Sequence, residues 1–188
     1  MSIPSIKVIP IAYSRLDLPD FHFGLWNYLI TGMDEFEVEK VVVDFQNNEI
    51  KVQAFFPIII GAGLVQIKGN LFNMNLDSMG PIHANVSNII INYTLKISLV
   101  EKDGKQYMVK DSDEIKTKQT DGKLYIHIDN LSFGNETATQ IMNDVLNTHN
   151  EQFLNILFPI LQKSLKQLLD TVLNTLFKTY SFDDFFPK

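Results

Sequence analysis

The sequence predicts an α+β fold: a strongly curved antiparallel β-sheet wrapped around one long C-terminal amphipathic α-helix. Three observations carry that expectation. Apolar residues recur at helical spacing from Leu154 to Tyr180. Upstream, runs rich in β-branched and aromatic residues alternate with polar ones and are divided by turn-forming Asn, Asp and Gly. The strands come as a block before the helix instead of interleaving with helices, which separates α+β from α/β.

The helix is predicted from about Asn135 to Tyr180. Leu154, Leu157, Phe158, Leu161, Leu165, Leu168, Leu169, Val172, Leu173, Leu176 and Phe177 fall within one arc, and Lys163, Lys166, Gln167, Asp170, Asn174 and Lys178 fall on the other side. A helix of that length reaches roughly 65 Å, against a radius of gyration of about 16 Å for a compact chain of this size, so the fold is expected to be elongated along it. Pro159 removes a hydrogen-bond donor, which places an expected kink near Asn155 to Phe158.

In chain order, Ile3 to Tyr13 carries Pro4 and Pro10 and reads as an edge strand. Leu18 to Ile30, with Phe21, Phe23, Trp26 and Tyr28, reads mostly as strand. Phe36 to Phe45 and Ile50 to Phe56 flank Gln46-Asn47-Asn48-Glu49 and predict a hairpin. The apolar parity of its first arm changes between Val38 and Val41, which suits a bulge. Leu64 to Leu76 reads as one alternating strand, and Gly61-Ala62-Gly63 before it as a flexible bend. In Ile89 to Val100, Ile89, Ile91, Tyr93, Leu95, Ile97 and Leu99 share one face, the pattern of a sheet covered on one side. Lys102-Asp103-Gly104 turns into Gln106 to Lys110, and Asp121-Gly122 introduces Lys123 to Asn130. Long one-faced strands and a helix with a wide apolar stripe are both satisfied when the sheet curls around the helix. The space between them is either filled core or an occupiable tube.

Composition sets bounds. One domain over residues 1–188, with 45% apolar residues, is long enough for a substantial core. A net charge of −6 without like-charge runs points away from nucleic acid. The lysines of Lys102 to Lys123 alternate with acids and read as solvated hairpin edges. There is no cysteine, hence no thiolate chemistry. The N-terminal residues lack a signal-peptide pattern, leaving a cytosolic chain or one whose export signal has been removed. Ala54 to Val65 is too short and too interrupted by Pro57, Gly61 and Gly63 to span a bilayer.

Several segments together resemble the insect takeout and juvenile hormone binding protein family. They are Ile30-Thr31-Gly32-Met33-Asp34-Glu35-Phe36-Glu37-Val38-Glu39-Lys40-Val41, Val65-Gln66-Ile67-Lys68-Gly69, Asp129-Asn130-Leu131-Ser132-Phe133-Gly134-Asn135, and the tail Tyr180-Ser181-Phe182-Asp183-Asp184-Phe185-Phe186-Pro187. The resemblance implies a tubular lipid-binding (TULIP-like) architecture with a hydrophobic tunnel. It also implies non-catalytic carriage of a juvenile hormone-like sesquiterpenoid, fatty acid or related lipid. Family members are typically secreted and begin with a short helix carrying a cysteine pair; this chain resembles a shortened member that starts just after that helix.

No catalytic or metal constellation emerges. His22, His83, His127 and His149 are scattered, Gly61-Ala62-Gly63 lacks the remaining glycine of a dinucleotide loop, and there is no G-x-S-x-G elbow. No cofactor is expected, and Asp183-Asp184 reads as solvated tail. Asn85, Asn92 and Asn135 match the glycan acceptor pattern, relevant only to an exported chain. The aromatics, 14 Phe, 6 Tyr and 1 Trp, are the informative group. Tyr93 sits on the apolar parity of its strand and needs a hydroxyl partner if buried. The resemblance makes Phe23, Trp26, Phe55, Phe72, Tyr93, Leu95, Tyr125, Phe133, Phe153, Leu157, Phe158, Leu161 and Leu165 the candidate tunnel lining. Met74, Met108 and Met142 would let such a wall adapt. The expected partner is a hydrophobic small molecule bound by a monomer. The alternative is a membrane-contacting or protein-interacting module in which Phe182, Phe185 and Phe186 dock outward.

Overall fold

Two very long strands, β4 (Glu49–Leu71) and β5 (Met74–Lys102), form an antiparallel hairpin that is the spine of the molecule. The computed structural model describes residues 6–132 and 134–187. β1 (Val8–Leu18) and β2 (Phe21–Thr31) extend the sheet from the far half of β4, and β3 (Glu37–Asp44) pairs its near half. β6 (Lys105–Gln119) pairs the later half of β5, and β7 (Leu124–Ile128) the earlier half. The helices α1 (Glu136–Thr148), α2 (Asn150–Thr179) and α3 (Phe182–Phe185) follow. The seven strands form one sheet, all pairs antiparallel, whose edges β1 and β6 both reach α2. This is the expected curved sheet around a long helix.

The spine has a joint. In β4 the buried positions are even at Ala54 and Phe56 but odd at Ile59, Gly61, Val65 and Ile67. β5 changes parity at the same level, from Ile82 and Ala84 to Ile89 and Ile91, while the cross-strand register stays constant. The irregular pair is Pro57, which has no N–H, facing Asn88, whose φ is +57°. Both strands therefore turn over together, and the joint divides the molecule into two ends.

Several expectations are corrected. Leu64 to Leu76 is not one strand: Phe72 (φ +50°) and Asn73 (φ +63°) form the tight turn between β4 and β5. A bulky aromatic rarely adopts that backbone; here its ring stacks on His149 with centroids 4.6 Å apart. Gly61-Ala62-Gly63 is not a bend but central β4. The Tyr28 ring lies across Gly61 so closely that a Cβ there would fall 1.8 Å from the phenol oxygen. β1 continues past Tyr13 to Leu18, and its start at Ile3 lies outside the described residues. The anticipated bulge is present between Val38 and Lys40.

The long helix is interrupted, but not at Pro159. The break is at His149, which ends α1 and begins α2 with φ −97° and ψ 39°, following an Asn-Thr pair of low helix propensity. Pro159 sits inside α2 with its ring exposed, and Asn155, whose carbonyl loses its donor, is also exposed, so water can satisfy it.

One device ties α1 to the sheet. Asn143 and Asn147, one helical turn apart, face the free edge of β7. Asn143 Oδ1 accepts from Ile128 N at 2.8 Å, and Asn143 Nδ2 donates to Ile128 O at 2.9 Å. Asn147 repeats the pair on Ile126, at 2.8 Å in both directions. Two carboxamides at i and i+4 thus take the place of a neighbouring strand for alternate residues of β7. Asn143 is 1% exposed, so removing its carboxamide leaves buried peptide groups unpaired. Asn143→Ala is expected to lower unfolding free energy by about 1–3 kcal/mol. Gln140→Ala on the outer face of α1 should cost less than about 0.5 kcal/mol. Urea unfolding of the two variants checks this.

Candidate functional site

The apolar stripe of α2 is continuous, yet its burial is not. Phe153, Leu154, Ile156, Ile160, Leu161 and Leu165 are buried, whereas Leu168, Leu169, Val172, Leu173 and Leu176 are only half-buried. The stripe up to Leu161 packs into a nearly filled interior, whereas from Leu165 onward it faces a hollow. That hollow is an inner cavity of about 410 Å³ between α2 and the concave face of the spine, on the β3/β6 side of the joint. Ala54, Phe56, Ile91, Tyr93, Leu95 and Ile115 supply its sheet wall, and Leu165 to Phe177 its helix wall. Met33 and Met108, both buried, add flexible side chains to it. Every lining side chain except Tyr93 is aliphatic, aromatic or methionine. A smaller void of about 50 Å³ lies nearer the middle of α2, lined by Tyr28, Leu124, Leu157, Phe158 and Leu161 among others.

The anticipated lining residues therefore part company. Tyr93, Leu95 and Leu165 line the inner cavity; Leu157, Phe158 and Leu161 line the small void. Phe23 and Phe153 are fully buried against each other, ring centroids 5.9 Å apart, inside the solid end. Phe72 is at the turn over His149. Phe55 alternates with the inward Ala54 and Phe56, so it faces the other side of the sheet. Trp26 lies on the outer face, 5.1 Å from Tyr13, and Tyr125 is 55% exposed. Phe133 lies outside the described residues. Lining residues not among those candidates include Phe36, Ile50, Ala54, Phe56, Ile91 and Phe177. Ile50 shares the parity of Ala54 and Phe56, a signal available in the sequence.

Tyr93 is the single polar residue at the wall among the described residues, and its hydroxyl is engaged by Asp113. It donates to Asp113 Oδ2 at 3.2 Å, part of a cluster in which Lys110 Nζ lies 3.3 Å from the same oxygen. Lys166 also meets Asp113, and Lys110 meets Asp170. Asp113 is 2% exposed, so these partners supply the countercharge its burial requires. Two residues assigned to the wet face of the helix, Lys166 and Asp170, thereby fasten α2 to β6. Lys110, expected on a solvated edge, is bridged between the two carboxylates.

The C-terminal tail closes the far end. Ser181 N and Oγ donate to Asp184 Oδ2 at 2.8 and 2.7 Å, a capping box that starts α3 and holds the Asp184 carboxyl below the usual carboxylate value. Asp184 is thus a structural residue, not mere solvated tail. Phe185 and Phe186 line the cavity; Phe182 and Phe186 meet Phe45 at 6.0 and 5.2 Å. Phe182 and Phe186 are half-buried against the body of the protein, while Phe185, in edge contact with Phe177 and Tyr180, stays 36% exposed.

Burial pushes the Tyr93 phenol up to about 12, with Asp170 adding to the effect, and burial alone does the same to Tyr28. Both are neutral in the fold where an unfolded tyrosine already ionises near pH 10. The native state binds more protons in that window, so the contribution of these two tyrosines to stability is constant below about pH 10 and is lost as pH rises towards 12. Absorbance at 295 nm should show Tyr28 and Tyr93 titrating late, together with loss of structure.

The family model described as haemolymph juvenile hormone binding protein matches residues 1–187. Among solved structures, the crystal structure of Epiphyas postvittana Takeout 1 superposes with a TM-score of 0.87 at 14% identity, over 95% of this chain and 82% of that one. At that identity the likeness concerns the fold. No curated protein matches. With the family model spanning almost the whole sequence, this chain belongs to the haemolymph juvenile hormone binding protein family.

Proposed function

We propose that this protein binds and carries a hydrophobic small molecule in the inner cavity and performs no chemistry on it. The observation that supports this most directly is the roughly 410 Å³ hollow walled by apolar side chains, within the range of small-molecule sites. Among the described residues its only polar wall residue, Tyr93, donates its hydroxyl to Asp113. Binding would draw on apolar burial at about 25 cal/mol per Å², which needs no directional contacts. Family membership supports a ligand of the juvenile hormone kind, and a sesquiterpenoid or a fatty acyl chain suits a slot between a helix and a sheet. The folded unit would be a single domain acting as a monomer.

A second reading rests on β3, where Val38, Val41 and Val42 are exposed beside Phe36 and Phe45. Such a patch favours contact with a lipid surface or another protein. Liposome co-sedimentation separates the readings, since a simple carrier stays in the supernatant.

The carrier reading is tested by native mass spectrometry of the purified protein. A reproducible adduct of a few hundred daltons, lost on organic extraction, is expected. A bare chain that also fails to enhance an apolar fluorophore would overturn it. Filling the slot should act as removal of the ligand site: Ala54→Phe is expected to weaken probe binding at least about tenfold without lowering the unfolding midpoint. Unchanged binding would place the site elsewhere.

A further inference from the structure

The wall of the inner cavity at α3 is one side chain thick. Ile50 and Phe186 line the inner cavity and also line a second hollow of about 460 Å³ on its outer side, between the β3–β4 turn and α3. That recess is bounded by Asp44, Asn48 and Glu49 as well as by Phe45 and Phe182. Phe186 is half-buried and held by ring contacts, 5.2 Å to Phe45 and 5.0 Å to Phe182, and by its backbone N–H donating to Phe182 O at 2.9 Å. Among the described residues, Phe186 and Ile50 are the two side chains common to both hollows.

Building on the carrier reading, we propose that the outer recess is a second subsite of the same ligand, occupied by its polar end once Phe186 turns aside. Among the described residues the inner cavity offers a polar end only the Tyr93 hydroxyl, whose hydrogen is already given to Asp113, so a polar end enclosed there would be largely unsatisfied, at a cost of several kcal/mol. The recess has such groups. Asn48 contributes a side-chain amide, while Glu49 is countered by Lys51 at 2.5 Å and Asp44 accepts from Gln46 N, Asn47 N and Asn47 Nδ2. Its formal charges, Asp44 and Glu49, are both negative, and no basic side chain is part of its lining among the described residues. The ligand class that fits is an amphiphile whose hydrocarbon lies along α2 and whose outer end is an uncharged hydrogen-bonding group, an alcohol or ester. A carboxylate end meets like charge at Asp44 and at Glu49, the latter partly offset by Lys51.

Competition against bound N-phenyl-1-naphthylamine at pH 7.5 tests this, using dodecanol, methyl dodecanoate and dodecanoate. The alcohol and ester are expected to displace the probe about tenfold more effectively than the acid, and Glu49→Gln to narrow that gap about threefold. In Phe45→Ala, which removes a ring holding Phe186 without altering the inner wall, probe release in stopped flow should quicken several-fold. Equal competition by acid and alcohol, a gap unmoved by Glu49→Gln, or unchanged release in Phe45→Ala would overturn the subsite while leaving the carrier reading intact. Failure of the probe to bind the unaltered protein would overturn both.

Discussion

The apolar stripe of α2 finds its burial in the concave face of the β4–β5 hairpin, and most of the architecture follows from that pairing. A one-faced sheet and a one-faced helix each expose an unfavourable surface alone; joined, they remove it from water at about 25 cal/mol per Å². The sheet must curl to follow the helix, and it does so with β1 and β6 as its two flanks. β6 is fastened to α2 by Lys166 and Lys110 through Asp113 and Asp170. β7, too short to be a flank, ends at α1, where Asn143 and Asn147 supply the hydrogen bonds a further strand would have made.

The joint at Pro57 and Asn88 makes the two ends of the molecule differ. On one side Phe23, Leu25, Ile67, Ile82, Ile126 and Phe153 fill the interior but for the void of about 50 Å³. On the other, smaller or half-buried side chains leave the inner cavity. The solid end supplies stability and the hollow end is free to be imperfectly packed, a division suited to a protein that holds an apolar molecule. Had both ends been filled, the fold would lack a recess; had both been hollow, little core would remain to hold the strands in register.

The fold class was legible because helical and strand periodicities are long and clean here, from Leu154 to Tyr180 and from Ile89 to Ile97. The hairpin at Phe72-Asn73 was not, since a phenylalanine in left-handed backbone breaks the propensity rules and is stabilised by tertiary contact with His149. The helix break was misplaced for a similar reason: Pro159 is the strongest local signal, but its lost bond lies on the wet face, whereas His149 sits where the chain changes packing partner. Of the candidate site, the character of the lining was readable and its position was not. Phe153 and Leu165 obey the same periodicity on the same helix, and only the opposing wall decides that one is locked in core and the other borders the cavity. Tyr93 was identified correctly as an inward-facing residue on its strand, but Asp113, twenty residues on, is what satisfies its hydroxyl.

The central claim is that the hollow end, and not the tunnel-like length of the molecule, receives the apolar ligand. A crystal structure with a terminally brominated fatty alcohol, phased on bromine, tests it most directly. A single bromine peak is expected in the space bounded by Leu95, Leu165 and Phe177. A peak among Phe23, Phe153 and Ile126, or a saturating soak that leaves the cavity empty, would contradict it.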